Sequence, residues 1–198
     1  MRPTETGHAT ESPIRDRAYS ATDYSAVASV TDSPGGEWRT RLSETIARRP
    51  VPLHLVGVGS ELRKDDAAGL VIVSNLISML GPAPAPDLKI HGVSSSPERL
   101  LSKLSSETGK TVIFDAVEAS RDPGDVVFCS LSDTKYGFFA THNVPIRLIP
   151  GLAGRERDIY LVGVQPGSLE VGEGLTEPVR KSVEQIVAVV AGGLGGKA

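Results

Sequence analysis

A single cysteine, Cys129, in 198 residues excludes an intrachain disulfide and any cysteine-rich zinc or iron–sulfur site, and it fits a reducing compartment. Charge of one sign is also lacking. Lys and Arg total 21 against 24 Asp and Glu, a formal net charge of −3, so no basic field recruits nucleic acid or anionic lipid. No apolar run is long enough to span a bilayer, and the first 50 residues carry no stretch like the core of a signal peptide. Aromatic residues make up only 5% of the chain. These absences lead us to expect a cytoplasmic protein, a monomer, with no nucleic-acid or membrane partner.

What is present is enough for one domain. The hydrophobic fraction of 39% is ordinary for a soluble globular chain, and 198 residues support one core with an appendage. Residues 1–36 are rich in Thr, Ser, Ala, Pro and charged side chains without a sustained period, as in a flexible tail. In residues 37–49, Trp38, Leu42 and Ile46 recur every four positions and predict a short helix. The expected division is an extension over 1–50, a domain over 51–192 and a flexible end over 193–198. Within the domain, apolar runs predict strands at 52–59, 88–93, 111–115, 125–130 and 159–164. Between them lie helical patterns at 66–80, from Ser96-Pro97-Glu98, at 146–152, and at 177–190, where Thr176-Glu177-Pro178 reads as a cap. Alternation of this kind is an α/β fold. His54 and His91 fall inside strands and read as structural, as does Cys129.

The chain is organised around Val56-Gly57-Val58-Gly59-Ser60-Glu61-Leu62-Arg63-Lys64-Asp65-Asp66-Ala67-Ala68-Gly69, a strand that ends in glycines and feeds a helix. Such a turn lies at the carboxyl edge of the sheet, where open α/β folds place their chemistry. A dinucleotide fingerprint would require glycine where Leu62 stands, and the adjacent acids Asp65 and Asp66 would repel a phosphate. One aspartate can cap the helix; the second is spare. Asp115 ends the strand at 111–115 on the same edge, and His142 precedes the helical pattern at 146–152. Two carboxylates and an imidazole, Asp66, Asp115 and His142, can hold a divalent transition metal with positions open to water or substrate. Taken singly, each also has an ordinary structural reading.

The stretch from Gly57 to Gly69 resembles the Gly-x-Gly-Asn-x-Leu-x-x-Asp-Asp-Gly-x-Gly signature of the nickel–iron (NiFe) hydrogenase maturation proteases. Further pieces follow in that family's order: Ser95-Ser96-Pro97-Glu98, Val112-Ile113-Phe114-Asp115-Ala116 with Pro123-Gly124, Thr141-His142-Asn143-Val144-Pro145, and Leu161-Val162-Gly163-Val164-Gln165-Pro166. The last two look most like the branch serving formate-hydrogenlyase-type hydrogenases. The resemblance implies a three-layer α/β/α sandwich of the phosphorylase/hydrolase-like kind, with a twisted sheet of about five strands. It also implies an endopeptidase that trims the C-terminal extension of the hydrogenase large-subunit precursor once nickel is inserted. The nickel would come with the precursor, and the family's nickel-recognising residues map onto Asp66, Asp115 and His142. Asp65 would orient the loop. Two other expectations stay open: a non-cleaving maturation partner or nickel-site checkpoint of the same fold, and a related peptidase acting on another protein.

Three positions depart from the signature. Its asparagine is Ser60, its glycine after the acid pair is Ala67, and the glycine often found before that pair is Lys64. Asparagine and glycine adopt positive φ more readily than serine, alanine or lysine. A loop of altered shape is therefore expected, with the Lys64 cation set beside the acids in competition with a metal.

Overall fold

A computed structural model describes residues 37–47, 52–81, 85–94, 109–130 and 158–195. Five apolar segments pair as one sheet: β1 (Leu53–Gly59), β2 (Leu88–Ser94), β3 (Lys110–Ala116), β4 (Val126–Ser130) and β5 (Ile159–Val164). Their order is β2-β1-β3-β5-β4. β1 runs parallel to β2 and β3, and β3 parallel to β5, whereas β4 pairs antiparallel with β5 at the edge. All seven residues of β1 and of β3 are buried, as expected for central parallel strands without polar alternation.

Three helices are described: α1 (Glu37–Ala47), α2 (Ala68–Leu80) and α3 (Glu177–Gly193). The apolar side of α3 is buried, with Val179, Val183, Ile186, Val187 and Val190 all in the core. In α2 the buried residues are Ala68, Gly69, Leu70, Ile72, Val73 and Leu76. Ile77 and Leu80 are only half-buried, because Gly69 turns its side of the helix onto the sheet. Gly81 ends α2 at φ 85°, its N–H bonding to the Ile77 carbonyl at 2.9 Å. That left-handed conformation costs glycine little.

The side chains of Leu53, Leu55, Val112, Phe114, Val126, Phe128, Val162 and Val164 form one core with all three helices. Trp38, Leu42 and Ile46 of α1 belong to it, at 6, 0 and 0% exposure. Burial of such side chains contributes roughly 1.5–3 kcal/mol each. Polar contacts add to the attachment: Lys110 Nζ donates to the Thr45 carbonyl at 2.9 Å, and an Arg41 guanidinium N–H donates to the Phe128 carbonyl at 3.3 Å. The alternate side chains Val56, Ile113, Val127 and Leu161 are buried as well, so both faces of the sheet are covered. The helices predicted from 96 and at 146–152 lie outside the described residues. Among the described residues, no helix is long and apolar enough to cross a membrane.

Candidate active site

The strand order places a topological switch between β1 and β3. From β1 the chain crosses to β2 on one side, then returns to β3 on the other; in open α/β sheets ligands bind at the carboxyl ends of the strands that flank such a switch. Asp66 follows β1 and Asp115 is the penultimate residue of β3, so the two strands that flank the switch each deliver one carboxylate there.

Close backbone packing sets this edge. A Cβ added at Gly57 would come 2.1 Å from the Gly69 carbonyl oxygen. One added at Gly69 would come 2.2 Å from the Phe114 oxygen and 2.3 Å from the Val58 oxygen, and one at Gly59 would come 1.9 Å from the Asp66 oxygen. Only glycine permits these approaches. They press the start of α2 onto the β1–β3 seam, one residue short of Asp115. The glycines of the opening motif thus serve backbone proximity.

Helix α2 does not begin at 66 as predicted. A 3-10 turn, Lys64–Ala67, precedes it, and neither aspartate makes a side-chain cap there. The cap reading is corrected for a definite reason: the Asp65 carboxylate is occupied elsewhere. Its Oδ2 accepts from Gly167 N at 2.8 Å, Ser168 N at 2.9 Å and Thr176 Oγ1 at 2.8 Å, and its Oδ1 accepts from Thr176 N at 2.6 Å. Fully buried, Asp65 pins the loop from Gln165 to Thr176 and sets a negative charge at the N-terminal end of α3, where the helix dipole favours it. Thr176 stands at the N-cap position of α3; its hydroxyl makes no cap bond to that helix and donates to Asp65.

Asp66 differs from its neighbour. It is 2% exposed, and among the described residues its carboxylate enters no hydrogen bond or ion pair; its backbone N–H bonds to the Arg63 carbonyl at 2.9 Å. Its oxygens are not among the enclosed, unpartnered side-chain atoms of the described residues, so the carboxylate stays open to a cation or a donor from outside. Asp115 is fully buried, and its Oδ1 accepts the Ala116 N–H at 2.8 Å. The third predicted residue, His142, lies outside the described residues. Among those described, no three His, Cys, Asp or Glu side chains gather as metal ligands.

Of the three departures from the signature, only Lys64 occupies left-handed backbone, at φ 41°. Ala67 is right-handed helical at φ −77°. The expectation that Lys64 would set its charge on the acids is corrected. Its ammonium pairs with Glu170 at 2.7 Å, and this hydrogen bond, then the charge itself, holds the Glu170 carboxyl below its ordinary range. Lys64 N also donates to the Gly172 carbonyl at 2.8 Å, and Gly172 N to the Leu62 carbonyl at 2.9 Å.

Sequence reasoning missed the part played by the 165–176 loop. Gln165 Oε1 accepts from Ala119 N at 2.7 Å and Arg121 N at 3.3 Å, fixing the chain just past Asp115. The Gln-Pro and Pro-Gly motifs were the available signal, since Gly124 N bonds the Gln165 carbonyl at 2.8 Å. The buried His54 and Cys129 lie in strands away from this edge.

A family model described as hydrogenase maturation protease matches residues 89–192. The hydrogenase 3 maturation protease of Escherichia coli K12 is 24% identical over 135 residues, covering 67% of this chain and 84% of that protein. Among solved structures, a nickel–iron hydrogenase maturation protease from Thermococcus kodakarensis KOD1 superposes with a TM-score of 0.65 at 23% identity, covering 79% of this chain and 99% of that one. A hydrogenase maturating endopeptidase from E. coli gives a TM-score of 0.57 at 25% identity, covering 73% and 92%.

Proposed function

The chain belongs to the hydrogenase maturation protease family, and from that premise we propose that it is an endopeptidase acting on a NiFe-hydrogenase large-subunit precursor. It removes the precursor's C-terminal extension after nickel insertion. The observation that supports this reading is the division of labour between adjacent acids: Asp65 is saturated by four donors, while Asp66, at the β1–β3 switch, has its carboxylate uncommitted among the described residues. Asp66, Asp115 and His142 engage the nickel that the precursor carries. Carboxylate and imidazole suit such an ion. The metal then serves as Lewis acid on the scissile carbonyl or on the attacking water. A precursor lacking nickel would leave the Asp66 carboxylate unengaged, so the site tests for metal before the cut.

The test is to incubate the purified protein with nickel-loaded and nickel-free precursor and to follow the C-terminal peptide by mass spectrometry. Release from the loaded precursor alone is expected. Binding without shortening would instead identify a non-cleaving checkpoint.

A further inference from the structure

Three large apolar side chains stand exposed among the described residues: Leu62 at 69%, Met79 at 57% and Val171 at 87%. Met79 lies alone on the outer side of α2, which is ordinary. Leu62 and Val171 are a different case. They come from loops more than 100 residues apart in the chain, yet Gly172 N bonds the Leu62 carbonyl at 2.9 Å, and Arg63 and Gly172 form a parallel β-bridge. Arg63 Nε donates to the Leu169 carbonyl at 3.3 Å, Asp65 N bonds the Ser168 carbonyl at 3.2 Å, and Lys64 pairs with Glu170. Two apolar side chains are thus presented on backbone already ordered by folding, so that binding there loses little further entropy. The same two loops hold Asp65 and Asp66. Glu61 and Glu173, both exposed, flank the pair, and among the described residues neither is in an ion pair.

We propose that Leu62 and Val171 form the docking ridge for the large-subunit precursor, receiving an apolar segment of its surface bordered by basic side chains that meet Glu61 and Glu173. This rests on the reading of the chain as a precursor protease. It adds a recognition surface beside the acids, made by side chains other than those assigned to the cut.

The test measures the dissociation constant of the full chain for nickel-loaded precursor by biolayer interferometry, with peptide release recorded separately. Leu62→Asp and Val171→Asp should each weaken binding about tenfold or more, the scale of one interface hot spot. Glu61→Lys combined with Glu173→Lys should weaken it several-fold at low salt, and Met79→Asp should leave it unchanged. Thermal unfolding checks that each variant folds. Unchanged affinity in Leu62→Asp and Val171→Asp, an equal loss in Met79→Asp, or no binding by the wild type would overturn the proposal. Normal release with unaffected binding in Val171→Asp removes the ridge and leaves the protease reading standing. Ridge-dependent binding without release supports the ridge and removes the protease.

Discussion

The Asp65 carboxylate and Thr176 are joined twice, Oδ1 to the backbone N–H at 2.6 Å and Oδ2 to the hydroxyl at 2.8 Å, across 111 positions of sequence. This pairing fixes the loop behind the acid pair. Asp65→Ala should cost about 3 kcal/mol or more, since it leaves several partly buried donors without an acceptor. Asp65→Asn should recover only part of that, because its amide nitrogen would face donors. Urea unfolding of the two variants measures both effects.

Lys64 combines left-handed backbone at φ 41° with an exposed ion pair. Lys64→Gly relieves roughly 1–2 kcal/mol of backbone strain. It also loses an exposed pair that contributes little and gains unfolded-state freedom of about 1 kcal/mol. The expected change in stability is therefore small, whereas β-branched Lys64→Val should destabilise clearly. The pH dependence has a definite sign. Glu170 is held below its ordinary value by Lys64, so its contribution is present above the unfolded-state value and is lost as pH falls through the folded one. Glu170→Gln should flatten the acid limb of a stability–pH curve slightly.

Two glycines should respond in opposite directions to alanine. At Gly69 the new methyl meets backbone oxygens of β1 and β3, which cannot yield locally, so a loss of about 3 kcal/mol or more is expected. At Gly192 nothing lies within 4 Å of the added Cβ, and helix α3 should gain about 0.5–1 kcal/mol. Thermal and urea unfolding measure the difference.

Helix α1 should behave as part of the folded unit. Leu42 is fully buried, and Leu42→Ala should cost about 2–5 kcal/mol. A chain shortened to begin at residue 48 should unfold at lower urea than one beginning at residue 37.

Much of this was legible in the sequence because local patterns carry it. The apolar runs of β1, β3 and β5 and the 3.6-residue stripe of α3 mark elements without tertiary information. Asp66 and Asp115 could be placed at the carboxyl edge because both fall where an apolar strand run ends. What escaped depends on partners distant in sequence. The antiparallel place of β4 is decided by pairing with β5, the bonds of Asp65 are made 102–111 residues away, and the Lys64 ammonium chooses Glu170, 106 residues on.

Peptide release from nickel-loaded precursor, compared between the wild type and Asp66→Asn, bears most directly on the function. Release by the wild type is expected, with loss of release in Asp66→Asn at an unchanged unfolding midpoint, since the Asp66 carboxylate makes no bond that holds the described fold together. No release by the wild type, or equal release by Asp66→Asn, would contradict the assignment of Asp66 to the nickel carried by the precursor.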